Sequence, residues 1–344
     1  MDQEYTQRLQ KIEEALECWL PTVIDAGLME EIFPGLKKIP DAGTTDALFT
    51  PLKDILSRGG KRWRPLLMAL VCESLGAGDA AIPLSPLVEL SHNASLIHDD
   101  IEDDSDERRG KPSIHKLYGV DTAINAGSFL YFLSLCCIES AQNKERVYRL
   151  WAEYMRKLHL GQAMDINWHR NIPLVPAIEE YHTMCGLKTG CLARFAVELG
   201  AYTAGVSEKA AGQLGEAAEK LGMGFQILDD VKNLTTGVPG KMRGDDIIEG
   251  KKSLPVLLFM HQYPAQREQV FNGFSAAKTH GITAPEAEKL LQTLNDCGVV
   301  SEAAEKGQAF IAEARIIFNA PEHDGFSMDG KGRALIAGLI DLIS

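Results

Sequence analysis

The residues best suited to chemistry form an acidic run from Asp99 to Asp106, in which six of the side chains are carboxylates. Asp99 and Asp103 are four residues apart, so on a helix they lie one turn apart on one face. Carboxylates stacked in this way repel each other unless a cation lies between them. Mg²⁺ suits this position because it accepts one or two carboxylates and keeps ligand positions for water and phosphate oxygens. We therefore predict a magnesium site, against the alternative of a solvated acidic helix end.

A second acidic pair supports the metal interpretation. Asp229 and Asp230 close another apolar helix far along the chain, and Gln226 and Asn233 share their face by spacing. A chance acidic patch would not explain why an Asp-Asp pair ends an apolar helix twice in one chain. We therefore predict that both pairs belong to the same metal-dependent chemistry.

Two basic residues follow a glycine pair and point to an anionic ligand. Lys61 and Arg64 lie at the predicted start of a helix, where Pro65 is well accommodated. Backbone N–H groups and the helix dipole favour an anion there, and they disfavour cations on the helix alone. The pattern indicates a bound anion, with an ordinary basic turn as the alternative.

A third candidate interrupts the helix predicted over residues 178–203. Lys188, Thr189 and Gly190 stand in its middle, where a hydroxyl and a glycine are unfavourable for helical structure. One interpretation is a surface kink. The functional interpretation is that the helix bends in order to aim Lys188 at a ligand.

Helical periodicity accounts for the elements that carry these side chains. Apolar residues in steps of three and four precede the acidic run and predict an amphipathic helix, namely Leu87, Leu90, Ala94, Ile97 and Ile101. Similar patterns predict helices over 1–20, 66–75, 119–140, 145–168, 178–203, 207–234 and much of 254–344. The segment 119–140 is apolar nearly all round, which is typical of a buried helix. No strand-period segment is long enough for a sheet, so the predicted class is all-α.

Bulk properties limit the possible partners and location. The 344 residues are 45% apolar and contain no linker-like stretch, so one domain over 1–344 is expected. The net charge of −13 argues against nucleic acid, although metal ions and placed cations can reverse the sign locally. Seven scattered cysteines without metal-ligand spacing indicate reduced thiols and a cytoplasmic protein. We expect no signal peptide and no transmembrane segment.

Taken together in order, these motifs resemble those of the trans-isoprenyl diphosphate synthases, or polyprenyl synthetases, over almost the whole chain. The similarity is greatest to geranylgeranyl diphosphate synthases. The matching motifs are Gly59-Gly60-Lys61-Arg62-Trp63-Arg64-Pro65, the acidic run with Arg108-Arg109-Gly110, Gly161-Gln162-x-x-Asp165, Lys188-Thr189, Phe225-Gln226-x-x-Asp229-Asp230, and Gly240-Lys241 through Glu249-Gly250-Lys251.

The resemblance implies a fold and a reaction. The fold is a bundle of roughly ten or more helices around a deep apolar cavity, usually as a homodimer. The reaction is the head-to-tail condensation of isopentenyl diphosphate with an allylic diphosphate. The implied contacts to isopentenyl diphosphate are Lys61, Arg64, His92 and Arg109. The implied Mg²⁺ ligands are Asp99, Asp103 and Asp229. The implied contacts to the allylic diphosphate are Arg108, Lys188, Thr189, Gln226, Lys241 and Lys251. The residues expected to drive catalysis are Asp99, Asp103, Arg108, Lys188, Asp229 and Lys241.

One position departs from the usual family pattern. Asn233 stands where the second motif commonly ends in a third aspartate, and a neutral amide is a weaker magnesium ligand. Several geranylgeranyl diphosphate synthases of the eukaryotic type resemble this chain there. They resemble it too in the Ile124-Asn125 stretch. The departure therefore does not imply inactivity.

Residues near the acidic run predict the product length. Ala94 and Ser95 lie about one turn before Asp99, and both are small, where short-chain synthases often carry an aromatic residue. The growing tail should pass this level and exceed fifteen carbons. Phe129 and Phe132 are candidates for the floor of the cavity, although they could be ordinary core residues. The expected product is geranylgeranyl diphosphate, with a longer polyprenyl diphosphate as the alternative.

Two other functions are compatible with an acidic helical bundle. A class I terpene cyclase would carry a glutamate in its second motif, and none follows Asp229 at the required spacing. A non-catalytic synthase subunit usually loses one acidic motif, whereas both are present here. Both alternatives are therefore disfavoured.

Overall fold

The computed structural model describes residues 3–237, 243–320, 322–323 and 325–344, without the side chains of 322–323. Lys241, a predicted diphosphate contact, lies outside the described residues. The α-helices, in chain order, are α1 (Gln3–Glu17), α2 (Ala26–Ile32), α3 (Ala42–Ser57), α4 (Trp63–Cys72), α5 (Ser85–Glu102), α6 (Ile114–Tyr118), α7 (Val120–Leu133), α8 (Lys144–Arg170), α9 (Ile178–Cys185), α10 (Cys191–Thr203), α11 (Glu208–Thr235), α12 (Asp245–Glu249), α13 (Leu254–Gln262), α14 (Arg267–His280), α15 (Pro285–Asp296), α16 (Val299–Asn319) and α17 (Gly330–Ile343).

Strands contribute little to the described part of the chain. They form two antiparallel hairpins of two-residue strands, β1 (Glu107–Arg108) with β2 (Lys111–Pro112), and β3 (Glu322–His323) with β4 (Phe326–Ser327). Short π-helical turns span Glu73–Ala77 and Gly186–Gly190, and 3₁₀ turns span Gly78–Leu84, Ser134–Ser140 and Pro264–Gln266. The predicted all-α class is confirmed, as are the helices expected near 145–168 and 207–234.

The chain divides into two compact units, each built from separate stretches of sequence. Unit 1 contains Met1–Ala152, Phe195–Gly212 and Pro321–Leu339. Unit 2 contains Glu153–Arg194, Gln213–Ala320 and Ile340–Ser344. The expectation of one domain over 1–344 stays a prediction.

Helix α5 lies in the core of unit 1 and carries the acidic run at its end. Its periodic apolar residues, among them Leu87, Leu90 and Ile97, are fully buried, as their spacing predicted. Helix α7 packs along α5 closely at Gly127, where a Cβ atom would lie 2.7 Å from Cε1 of His98. This close packing fixes the end of α5 from which the acidic side chains project.

The prediction that 119–140 is buried all round is wrong. Helix α7 uses one face against α5, and its other face carries exposed apolar side chains, including Val120, Ile124 (46% exposed) and Phe132 (64% exposed). An all-apolar pattern shows the residue types, but it does not show which faces of the helix are buried by the rest of the chain. Phe132 therefore lies on an exposed face of α7 in this chain, which disfavours its predicted role in the cavity floor.

The expectation of no transmembrane segment stays a prediction. Two helical stretches, Trp63–Glu102 and Val120–Ser140, are long and apolar enough by length and composition alone. Their windows are 61% and 50% buried within the chain, respectively, and buried core helices pass the same test. The finding is therefore weak evidence for a membrane segment.

The core of unit 2 is organised around α13, whose residues Leu254–Met260 are all buried. Helices α14 and α15 pack closely at Gly273, where a Cβ atom would lie 2.6 Å from a methyl carbon of Leu290. The pattern of this region predicted helices only. In the structure, these helices pack against α11 and form the hydrophobic core of this unit.

Candidate active site

In unit 1, the end of α5 separates its carboxylates by burial. Asp99 and Asp103 are both part-exposed, and the amide N–H of Asp103 donates to the carbonyl of Asp99 at 2.9 Å in the last helical turn. Asp100, the next residue, is fully buried. The prediction that Asp99 and Asp103 share one face, one turn apart, agrees with this geometry.

The Arg108-Arg109-Gly110 motif forms the tight turn of the β1–β2 hairpin. Arg109 has φ = 54° and Gly110 has φ = 73°, so both central residues are left-handed, as a two-residue type I′ turn requires. A left-handed arginine is disfavoured by about 1 kcal/mol or more. Because of this turn, the side chains of Arg108 and Arg109 contact different partners although the two residues are adjacent in sequence.

Arg108 binds the carboxylates at the end of α5. Its Nε and Nη2 atoms donate to Oδ1 of Asp100 at 2.8 and 2.5 Å, and Nη2 also lies 3.4 Å from Oδ2 of Asp99. Asp100 therefore holds Arg108 in place beside Asp99. In this first Asp-Asp pair, the first member is part-exposed and the second anchors a cation.

Arg109 is held by a buried polar network that the sequence did not reveal. Its Nη1 donates to the carbonyl of Gly59 and, at 3.2 Å, to Oδ1 of Asn93. The amide of Asn93 in turn donates to Glu89 at 2.9 Å, and Glu89 also accepts from Arg62 at 2.8 Å. Burial, with neighbouring arginines, lowers the pKa of Arg109 to about 10, so it remains cationic near neutral pH.

The glycine pair before α4 makes room for this arrangement. Gly60 has φ = 134°, and a Cβ atom on it would lie 2.9 Å from Nη2 of Arg109. Arg62 has φ = 46° and precedes the first residue of α4, Trp63. The prediction that a helix begins beside Lys61 and Arg64 agrees with these bounds.

Arg64 and His92 come together, whereas Lys61 is exposed. Nη1 of Arg64 lies 3.3 Å from Nε2 of His92, and its guanidinium carbon lies 4.5 Å from the ring centre of Trp63. Desolvation and the charge of Arg64 lower the pKa of His92 well below its usual value. Because arginine only donates, neutral His92 accepts this bond at Nε2.

The two carboxylates bound to Arg62 give a matched stability prediction. Arg62 donates at 2.8 Å both to Glu89 (3% exposed side chain) and to Glu13 (51% exposed side chain). Removing a buried partner leaves an uncompensated charge, so we expect Glu89→Ala to reduce the free energy of unfolding by about 3 kcal/mol. Glu13→Ala should reduce it by less than about 1 kcal/mol. Equilibrium urea unfolding measures both, and equal losses would contradict the proposed role of burial.

In unit 2, a wide helical turn carries Lys188 and Thr189. The π-helical turn Gly186–Gly190 joins α9 to α10, which confirms the predicted interruption; such turns are frequent at functional sites. Gly161 of α8 approaches it so closely that a Cβ atom would lie 2.5 Å from the backbone nitrogen of Lys188. Gly222 of α11 would similarly place a Cβ atom 2.8 Å from Cα of Gly190. The glycines of these motifs therefore permit the close packing of three helices.

Of the predicted diphosphate contacts in unit 2, the two described lysines each contact a carboxylate. Nζ of Lys188 donates to Oδ2 of Asp165 at 2.5 Å, which explains the aspartate of the Gly161-Gln162-x-x-Asp165 motif. Nζ of Lys251 lies 2.5 Å from Oε2 of Glu249. These ion pairs hold the two ammonium groups in defined positions, where they can bind an anionic ligand.

Lys252 is a further buried cation that the sequence reasoning missed. Its Nζ donates to the carbonyl of Trp168 at 3.2 Å and lies 5.0 Å from the ring centre of Phe274. Desolvation lowers its pKa to about 8. Its position beside Lys251 gave no signal, because both lysines look alike in a basic pair.

The second Asp-Asp pair repeats the division seen in the first. Asp229 is part-exposed, whereas Asp230 is buried and accepts from Tyr181 at 2.7 Å and from Gln226 at 2.8 Å. Oγ1 of Thr189 donates to Oε1 of Gln226 at 2.9 Å. Burial raises the pKa of Asp230 to about 6, and the two donors oppose that rise.

Asn233 binds the backbone at the start of α12. Its side-chain oxygen accepts from the N–H of Asp246 at 3.3 Å, and its backbone carbonyl accepts from Gly244 at 2.9 Å. The residue is 2% exposed. In this position the amide oxygen binds backbone, and the residue is buried whereas Asp229 is part-exposed.

The donor set is compatible with Mg²⁺. Within the described ranges, no three His, Cys, Asp or Glu side chains form a preassembled metal cluster. Mg²⁺ does not require one, because it binds one or two carboxylates and completes its shell with water and substrate oxygens. Asp99 and Asp103, one turn apart, supply that number of carboxylates. Asp99 is part-exposed, whereas both carboxylate oxygens of Asp103 are buried.

The predicted chain-length residues have different surroundings in unit 1. Ala94 is fully buried, whereas Ser95 is part-exposed on the same stripe as Asp99. Phe129 is half-buried and lies in an aromatic cluster, with ring centres 5.5 Å from Phe33 and 5.8 Å from Phe49. Phe129 therefore remains a candidate for the floor, in contrast to Phe132.

Comparison with known proteins gives a consistent result. The model of the family described as polyprenyl synthetase matches residues 45–290. The chain is 38% identical to a short chain isoprenyl diphosphate synthase of Methanocaldococcus jannaschii, over 68% of this chain and 72% of that protein. It is 31% identical to a geranylgeranyl diphosphate synthase of Methanosarcina mazei, over 78% and 82%. Its structure matches a geranylgeranyl pyrophosphate synthetase of Pyrococcus horikoshii at 26% identity with a TM-score of 0.80, over 99% and 96%.

Proposed function

Since the chain belongs to the polyprenyl synthetase family and is thus a prenyltransferase, we propose that it condenses isopentenyl diphosphate head-to-tail with an allylic diphosphate, with geranylgeranyl diphosphate as the main product. The observation that carries this proposal is the matching arrangement of the two Asp-Asp pairs. In each pair the first aspartate is part-exposed and the second anchors a neighbouring polar side chain. Such preorganisation suits a site that stabilises charge on a departing diphosphate.

The residues of the chain would accelerate the ionisation of the allylic C–O bond. Ionisation places negative charge on the departing diphosphate, and cations directed at its oxygens stabilise that charge more than the ground state. Arg108 and Lys188 are proposed for this role, as is Lys241. Mg²⁺, held by Asp99, Asp103 and Asp229, would supply Lewis-acid stabilisation of the same oxygens.

The later steps require no nucleophilic side chain. The double bond of isopentenyl diphosphate attacks the allylic cation, and the released diphosphate is the proposed base for the final proton. Lys61, Arg64, His92 and Arg109 are proposed to hold the diphosphate of isopentenyl diphosphate. Because His92 is neutral, its Nε2 accepts from Arg64 and helps to orient that guanidinium. The remaining proposed contacts to the allylic diphosphate are Thr189, Gln226 and Lys251.

Turnover of the purified chain tests the function. With Mg²⁺, labelled isopentenyl diphosphate and farnesyl diphosphate, we expect a product extended by one isoprene unit. A terpene cyclase would instead release a hydrocarbon or alcohol, and a non-catalytic subunit would show no turnover without a partner chain. Either result would overturn the proposal.

The two cation sets should separate kinetically. Arg64→Ala or Lys61→Ala should mainly raise KM for isopentenyl diphosphate, and Lys188→Ala or Lys241→Ala should mainly impair the allylic substrate. The loss of one charge-assisted contact corresponds to roughly ten- to a hundredfold. Steady-state kinetics with each substrate varied in turn measures the effects.

A matched lysine variant checks the specificity of these changes. Lys220 is ion-paired with Glu313 at 2.6 Å outside the motifs, so Lys220→Ala should leave both KM values unchanged. If the four site variants weaken both substrates equally, the partition into two cation sets is wrong.

We also infer that the protein is a homodimer. The family resemblance implies this state, and the exposed face of α7 offers an apolar stripe that includes Val120, Ile124 and Phe132. A twofold interface uses the same patch on both copies, and a single helix face can supply it. The second copy would then cover the apolar side chains that the chain leaves exposed.

We propose a cytoplasmic location with no membrane-spanning segment. The two apolar helical stretches bury 61% and 50% of their windows within the chain, and carry α5 and α7, which pack against each other. The absence of disulfides among the described cysteines is compatible with a reducing compartment. The net charge of −13 also disfavours nucleic acid as a partner.

A further inference from the structure

A buried chain of hydrogen bonds in unit 2 ends at two proposed substrate contacts. The hydroxyl of Tyr181 donates to Oδ2 of Asp230 at 2.7 Å. Nε2 of Gln226 donates to Oδ1 of the same carboxylate at 2.8 Å. Oγ1 of Thr189 donates to Oε1 of Gln226 at 2.9 Å. Each group therefore determines the orientation of the next one.

The environment of Asp230 suits an anchor better than a metal ligand. Asp230 is 6% exposed, and each of its carboxylate oxygens accepts a hydrogen bond from a neighbouring side chain. A shift of this carboxylate toward a cation would weaken its bond to the hydroxyl of Tyr181, which is 1% exposed and has no access to water. A buried donor that loses its acceptor is unfavourable, so Asp230 stays with Tyr181.

The same chain of hydrogen bonds determines the orientation of the Gln226 side-chain amide. Because a carboxylate only accepts, the nitrogen of the amide must point to Asp230, and its oxygen then accepts from Thr189. An amide nitrogen carries two N–H groups, so the bond to Asp230 leaves the second for a substrate oxygen. Without Asp230 the amide could turn over and present its oxygen to an anion.

We propose that Tyr181 is a positioning residue for the allylic diphosphate, acting through Asp230 on Gln226 and Thr189. The inference rests on the proposed function, since it takes Gln226 and Thr189 as contacts to that substrate. It assigns roles to two residues outside the proposed ligand set. Asp230 holds the amide in the donating orientation, and Tyr181 holds Asp230.

Tyr181→Phe removes only the hydroxyl and keeps the ring in the core. We expect kcat/KM for the allylic diphosphate to fall about tenfold, which corresponds to about 1.4 kcal/mol. KM for isopentenyl diphosphate should stay within about twofold of wild type, because this contact chain touches no proposed contact to that substrate. A general loss of folding would instead lower the active fraction and affect both substrates alike.

Tyr5→Phe is the matched control. The hydroxyl of Tyr5 is also buried and also donates at 2.7 Å, but it donates to the backbone carbonyl of Leu335 in unit 1. Both substitutions remove the same kind of hydrogen bond and should lower the melting temperature comparably. Only Tyr181→Phe should change the kinetics of the allylic substrate.

Asp230→Asn supplies a second variant and a test that needs no turnover. Binding of a thiolo analogue of farnesyl diphosphate, whose C–S bond does not ionise, is measured by calorimetry in Mg²⁺. We expect Asp230→Asn and Tyr181→Phe to weaken this binding by comparable factors of about tenfold, and Tyr5→Phe to leave it unchanged.

Three results would overturn the inference. They are wild-type binding of the analogue by Tyr181→Phe, equal weakening of both substrates, and a loss for Asp230→Asn as large as for Asp229→Asn. A wild-type chain without prenyl transfer would refute the proposed function instead. The calorimetric comparison would still decide whether Tyr181 and Asp230 position an allylic diphosphate.

Discussion

Asp99→Asn and Asp229→Asn are each expected to reduce kcat by about a thousandfold or more, equivalent to about 4 kcal/mol in the barrier. Each substitution keeps the shape of the side chain and removes the charge that a divalent cation requires. Asp99 and Asp229 are the part-exposed members of their pairs, whereas Asp100 and Asp230 are buried and accept hydrogen bonds from protein side chains. Steady-state turnover of the purified variants in saturating Mg²⁺ measures the effect.

Two controls separate loss of metal binding from other causes. Asp104→Asn changes the same acidic run, but the Asp104 side chain is 86% exposed and ion-paired with Lys116 at 2.8 Å, so turnover should persist. A chelator should abolish activity of the wild-type chain, and added Mg²⁺ should restore it. Full turnover by either site variant would refute the assignment of Asp99 or Asp229 as a ligand.

Local periodicity was sufficient to predict the elements that carry the site. The apolar spacing of Leu87, Leu90 and Ile97 predicted α5 and its buried face, and the same spacing placed Asp99 and Asp103 on one stripe. The Lys188 interruption was also visible, because a glycine and a hydroxyl in mid-helix are local signals. These features depend only on residues within a few turns of each other.

Features that depend on distant contacts were not predictable in this way. Glu89 lies on a largely apolar helix, and the sequence does not show that its carboxylate has partners. Only the structure places Arg62 and Asn93 beside it. Asp99 and Asp100 are likewise equivalent in sequence, and only packing decides which one is buried. The exposure of Phe132 was unpredictable for the same reason, because periodicity cannot say which face of an apolar helix the chain covers.

The second large expected effect is a change of main product. Ser95→Phe should shorten the product from twenty carbons to fifteen, because Ser95 lies one turn before Asp99 on the same part-exposed stripe. Ala94→Tyr should act in the same direction, although Ala94 is fully buried and its replacement must displace packed neighbours. Chromatography of the dephosphorylated products measures the length.

Further substitutions test the path of the growing tail along α5. Ser95→Ala removes only the hydroxyl, which donates to the carbonyl of His92 at 2.8 Å, and should leave the product unchanged. Phe129→Ala should lengthen the product if its aromatic cluster forms the floor, whereas Phe132→Ala should have no effect within one chain because that ring is exposed. A wild-type product of fifteen carbons or fewer would contradict the inference that small residues at 94 and 95 let the tail pass. A tail that follows α5 would meet an aromatic ring placed about one turn from Asp99. An unchanged product from both Ser95→Phe and Ala94→Tyr would therefore show that the tail does not follow α5.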